Sequence, residues 1–192
     1  MEKIVDYKKI YVGGVFLLIF GVYLFFTLQH VGQFETADEH YWIYSPDGGR
    51  VQQYWHAVLT GDWVGTLIND KPGVTVALVC GPALIFQQGH PQIQEYERDL
   101  AVETKNDPGV SQYIFTAFRV PLIIFNGLFS FLLMWLLWKL TRDKWVAYWG
   151  WFFILFCPAL IGISQIVNPD SLLWSFSTAT LLSFLLLLAN KD

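Results

Sequence analysis

Four long apolar runs decide what this chain can fold into. They fall at about residues 10–28, 117–140, 145–163 and 171–189. Each approaches the roughly 20 residues that a helix needs to cross about 30 Å of hydrocarbon. A backbone segment inside lipid has to satisfy its own hydrogen bonds, and a helix does so within a single segment. The expected fold class is therefore an all-α integral membrane protein with about four transmembrane helices. Composition agrees: 54% of the 192 residues are hydrophobic, 18% aromatic and only 15% charged, more apolar than an ordinary soluble domain. The first run reads as a retained anchor, because it is too long for a signal peptide and no small-x-small cleavage site follows it.

Basic residues in the short flanks set the orientation. Lys3, Lys8 and Lys9 precede the first run, Lys139, Arg142 and Lys144 separate the second from the third, and Lys191 follows the fourth. The turn from Ser164 to Asp170 has no Lys or Arg. Both termini are thus expected in the cytoplasm, with a long extracytoplasmic loop over residues 29–116. Within that loop the apolar stretch 73–86, interrupted by Pro82, is short for a span and is expected to be re-entrant or interfacial. A formal net charge of −4 with no basic stripe argues against a nucleic-acid partner. Cys80 and Cys157 lie far apart in apolar surroundings and read as buried small hydrophobes, not as a disulfide or a metal pair.

The loop opens with two adjacent carboxylates, Asp38 and Glu39, followed by the aromatic run Tyr41 to Tyr44 and the break Ser45-Pro46-Asp47-Gly48-Gly49. From Arg50 to Leu59 the residues Val51, Tyr54, Trp55, Val58 and Leu59 recur at helical spacing, which predicts an interfacial helix stopped by Gly61. Asp62 beside that stop reads as a turn acid. Residues 87–112 form a polar, acidic excursion, expected to be helical and to end at Pro108-Gly109. Asn168-Pro169-Asp170 is expected to start the fourth helix, with Asp170 where a negative charge is favoured. On that helix Ser171, Ser175, Thr178 and Ser183 permit close packing.

A carboxylate where membrane meets water can take a proton from a weak hydroxyl nucleophile, and a cation nearby can stabilise a departing phosphate. Asp38 is the candidate base, and Lys71 or Arg119 the candidate cation. Hard carboxylates also suit a divalent cation, magnesium or manganese, on Asp38 and Glu39. No histidine pair has ligand spacing, and His40 beside Glu39 is the one histidine singled out. Each residue also has a plainer reading: solvated loop acids at Asp38 and Glu39, a helix cap at Glu39, a snorkelling anchor at Arg119, and turn punctuation at Lys71-Pro72.

Taken in order, the acidic pair after the first span, Tyr54 and Ala57 on the interfacial helix, Gly61-Asp62-Trp63, Lys71-Pro72 and Arg119-Val120-Pro121 resemble the amino-terminal part of GT-C glycosyltransferases. The likeness is closest to bacterial protein O-mannosyltransferase-like enzymes and lipid A aminoarabinose transferases. It implies a multi-span enzyme that moves a sugar from a polyprenyl-phosphate carrier to a protein, lipid or glycan acceptor on the extracytoplasmic face, with inversion. It further implies that Asp38 is the catalytic base and Glu39 the second acid of the pair. Lys71 would lie near the donor phosphate and Asp170 would face the cavity; by their own chemistry Arg119 is a second candidate for the phosphate and His40 a candidate cavity-lining residue. Two departures stand out: Gly73 replaces a frequent second proline, and the acidic excursion lengthens the loop. Complete enzymes of this type have more spans and a periplasmic domain, so the chain is expected to be an amino-terminal part, inactive by itself. The alternative is a non-catalytic membrane module that binds a lipid or partner through its interfacial helix. A transporter is disfavoured by the lack of ionisable residues within the spans.

Overall fold

The computed structural model describes residues 7–43, 49–67, 73–87 and 108–189, with side chains over 14–43, 49–67, 73–85 and 112–189. All regular structure among them is helical: α1 (Tyr7–Leu28), α2 (Ala37–Ile43), α3 (Arg50–Thr60), α4 (Val74–Cys80), α5 (Pro82–Gln87), α6 (Pro108–Thr141), α7 (Lys144–Leu155), α8 (Pro158–Ser164) and α9 (Asp170–Ala189). Within α6 the stretch Gln112–Thr141, and the whole of α9, are long and apolar enough to cross a membrane, and α7 with α8 makes a third span if the bent pair counts as one. The apolar part of α1 with described side chains, Gly14–Leu28, is shorter.

The 34-residue helix α6 is the central post, packed against α1, α4, α5, α7 and α9. At 1.5 Å per residue it is about 51 Å long, well beyond the hydrocarbon thickness. Its Thr141 end is marked as one membrane boundary by cations over aromatic rings. Lys139 Nζ lies 5.8 Å from the Trp135 ring and 5.3 Å from the Trp138 ring, and Lys144 Nζ lies 6.0 Å from the Trp138 ring. Arg119 stands 22 residues back along the helix, about 33 Å away, a distance comparable to the hydrocarbon thickness. The 20 residues of α9 bring Asp170 to a similar level.

One expectation changes. The third apolar run is not one straight helix: α7 and α8 meet at 54°. Pro158 is the cause, since it has no N–H for a continuing helix and holds Cys157 in an extended conformation (φ −69°, ψ 116°). Pro108-Gly109 begins α6, in keeping with proline's fit to a first helical turn. The body of the acidic excursion, residues 88–107, lies outside the described residues, as do the break at 44–48 and Lys71-Pro72. The 73–86 stretch forms the two short helices α4 and α5. Helix α3 lies on α4, where the Trp55 indole donates to the Ala77 carbonyl at 2.8 Å and Gly81 packs beneath the Trp55 ring.

Candidate active site at the membrane boundary

Helix α2 begins with a capping box. The Glu39 side chain reaches back one turn, and its Oε2 accepts from Thr36 N at 3.0 Å and from Thr36 Oγ1 at 3.1 Å. The same carboxylate, fully buried, takes a bidentate pair from Arg119 on α6: Nε to Oε1 and Nη2 to Oε2, both 2.6 Å. Val167 N, in the turn before α9, adds a further donor to Oε1 at 3.0 Å. Glu39 therefore fastens α2, α6 and the 166–168 turn together.

Arg119 is as fully committed. A guanidinium has five N–H groups. Besides the two on Glu39, Nη1 donates to the carbonyls of Val31 and Gln33, and Nη2 to that of Phe34. The backbone curls to offer those oxygens, with His30 at φ 60° and Phe34 at φ 59°, left-handed values that a side chain disfavours and the surrounding bonds hold in place. Gly32 fits in that curl because a Cβ there would lie 2.7 Å from the Gln112 carbonyl. Nearby, Gln165 Nε2 donates to the Thr27 carbonyl at 2.7 Å and joins the end of α1 to the same turn.

This geometry separates the residues that the sequence placed together. Asp38, one step around α2, is exposed, whereas Glu39 is sealed in protein and cannot touch a substrate as it stands. Arg119, expected at the donor phosphate, has every N–H taken and acts on α2 instead. His40 is half-exposed, its Nδ1 3.9 Å from Glu35 Oε1. Asp170 is exposed at the start of α9 and accepts from Asn168 Nδ2 at 3.1 Å. Lys71 is outside the described residues. Asp62 is the expected turn acid, accepting from Gly65 N at 3.1 Å, and Gly61 closes α3 at φ 74°.

One polar residue, expected off the apolar face of the interfacial helix, lies instead on its buried face. Arg50 opens α3 on its buried face, 7% exposed, with its guanidinium 5.0 Å over the Tyr41 ring and 5.8 Å over the Trp42 ring. The spacing Arg50, Tyr54, Ala57 is that of one helix face and could have revealed it. A shared divalent cation does not fit the acidic pair, because Arg119 already supplies the charge that Glu39 needs. No cluster of three or more histidine, cysteine or acidic residues occurs among the described residues.

Residues 97–191, just under half of the chain, match the family model described as dolichyl-phosphate-mannose-protein mannosyltransferase. The match takes in Arg119 and Asp170 but not Asp38, Glu39 or Lys71. No curated protein and no solved structure matches the chain. Over residues 97–191 the chain is therefore similar to dolichyl-phosphate-mannose-protein mannosyltransferases, and its described residues include two helices, or three spans if the bent pair counts as one, long and apolar enough to cross a membrane.

Proposed function

We propose that this chain is the amino-terminal, membrane-embedded part of a GT-C-type enzyme. It takes a sugar from a polyprenyl-phosphate donor and gives it to a hydroxyl acceptor at the extracytoplasmic face. The matched family's description favours mannose as the sugar and a protein as the acceptor. The lysines and arginines around residues 139–144 support a cytoplasmic Thr141 boundary, and therefore an extracytoplasmic Arg119 boundary.

One observation carries the reading: Arg119 consumes Glu39 and leaves Asp38 as the exposed member of the acidic pair, at the depth where a lipid phosphate meets water. Asp38 takes the acceptor proton as the acceptor oxygen bonds to the anomeric carbon, while the bond from that carbon to the phosphate oxygen breaks and its electrons leave with the phosphate. Attack opposite the leaving phosphate inverts the anomeric centre. Lys71, on the segment between α3 and α4, is the cation proposed for the departing phosphate. Glu39 and Arg119 are positioning residues, which hold α2 so that Asp38 faces the reaction.

The test is Asp38→Asn in the full-length protein, reconstituted in liposomes with a polyprenyl-phosphate sugar. Loss of a general base is expected to lower transfer by about 10²-fold or more with the melting temperature unchanged. Transfer at the wild-type rate would remove Asp38 from the mechanism.

A further inference from the structure

About 10 Å below Arg119, seven residues further along α6, the bundle interior turns polar. Asn126 Nδ2 donates to Ser171 Oγ at 3.0 Å, and Ser175 Oγ donates to Asn126 Oδ1 at 2.9 Å, joining α6 to α9. Tyr23 on α1 donates its hydroxyl to the Ile123 carbonyl at 3.2 Å, and the Ser164 hydroxyl of α8 lies within hydrogen-bond reach of it. Trp151 on α7 donates to Ser130 Oγ at 2.8 Å. These six polar side chains, Tyr23, Asn126, Ser130, Ser164, Ser171 and Ser175, line one cavity of about 30 Å³.

Their bonding is incomplete in a specific way. Ser171 is 3% exposed, and its oxygen accepts from Asn126, yet its own proton meets no acceptor among the described residues. Asn126, which is partly buried, has a second Nδ2 proton with no acceptor among the described residues. On the other side, the oxygens of Tyr23 and Ser164, each of which donates to a backbone carbonyl, keep lone pairs to offer. Two donors on α6 and α9 and two acceptors on α1 and α8 thus line the same cavity. A water molecule needs roughly 10–15 Å³ of such space and two to four polar partners. A dry void of this size would leave the donors unpaired in a low-dielectric interior, a costly arrangement.

We propose that this cavity is a binding site for one or two ordered water molecules, which accept from Ser171 and Asn126, donate to Tyr23 and Ser164, and so bridge four helices inside the membrane. The site contains no ionisable acid or base near neutrality, so it moves no protons. It seats the first turn of α9, which carries Asp170, against the helix that carries Arg119. The site stands whether or not the chain transfers sugar.

Hydroxyl-radical labelling tests it on the full-length protein in lipid nanodiscs, with a brief radiolytic pulse in ¹⁸O water. Ordered water beside Tyr23 generates radicals in place, so Tyr23, 4% exposed, is expected to gain oxygen several-fold more than the buried Phe118, 2% exposed and in an apolar cluster. Labelling of Tyr23 no higher than that of Phe118 would overturn the proposal. Ser164→Val, which fills the space and removes an acceptor, is expected to abolish the Tyr23 signal and lower the melting temperature, whereas Ser164→Thr keeps most of both. A rise in melting temperature with Ser164→Val would mean a dry void that gained contacts, and would also overturn it.

Discussion

Two polar sites hold α6 to its neighbours, and they use different chemistry at different depths. At the boundary, Glu39 and Arg119 meet as full charges, with every guanidinium N–H placed and two carboxylate oxygens receiving five donors. About two helical turns deeper, Asn126, Ser171 and Ser175 do the joining without any charge. The difference follows from solvation. A charge pair is tolerated where loops can wrap it in carbonyls and amides, whereas an ionisable group at mid-bilayer is expensive and neutral amides and hydroxyls are the cheaper connection.

The contrast breaks most directly at Arg119. Arg119→Met leaves the Glu39 carboxylate buried without its partner, and loss of one member of a buried pair costs about 3–5 kcal/mol. Reversible unfolding in mixed micelles measures it. The double variant Glu39→Gln with Arg119→Met removes both charges and is expected to recover a large part of that loss. A cost below about 1 kcal/mol for the single change would place the pair among weakly contributing surface bridges and end its role as the clamp on α2.

How far the sequence discloses these sites depends on the range of the interaction. Local signals are readable: Thr36-x-x-Glu39 is a capping box in plain view, Gly61 stops α3, and Asn168-Pro169-Asp170 starts α9. The helical membrane fold follows from the apolar runs. The Glu39–Arg119 contact, 80 residues apart, is not readable, and an acid beside another acid gives no sign that one is buried and the other exposed. The same is true of Ser171 and Ser175, which read as small packing residues until Asn126 is brought opposite them. Pro158 is a local signal inside a strongly apolar run, where hydropathy masks the break.

Between the two sites lies a packing constraint of intermediate size. Gly73, where the resemblance implies a proline, sits against the Trp42 ring so closely that an added Cβ would lie 2.2 Å from its Cη2 atom. Trp42 is fully buried in the same cluster as Val51 and Val76, so the ring has little room to yield. Gly73→Ala is expected to cost about 1–3 kcal/mol, as overpacking does, and to shift the Trp42 ring of α2 against the start of α4. A neutral melt with unchanged tryptophan fluorescence would show that Trp42 moves freely and that α2 is held by the ion pair alone.

The smallest effect is expected in the membrane interior. Asn126→Leu keeps the size of the side chain and removes two interhelical hydrogen bonds, to Ser171 and from Ser175. Such bonds average about 0.6 kcal/mol in membrane proteins and reach about 1.7, because an unfolded segment in lipid finds other partners. A loss of about 1 kcal/mol is therefore expected, several-fold below that of Arg119→Met in the same unfolding measurement. The direction of the inequality is the informative part. If Asn126→Leu proved as costly as Arg119→Met, the neutral site would be the main fastening of α9, and the idea that depth grades the strength of these connections would fail.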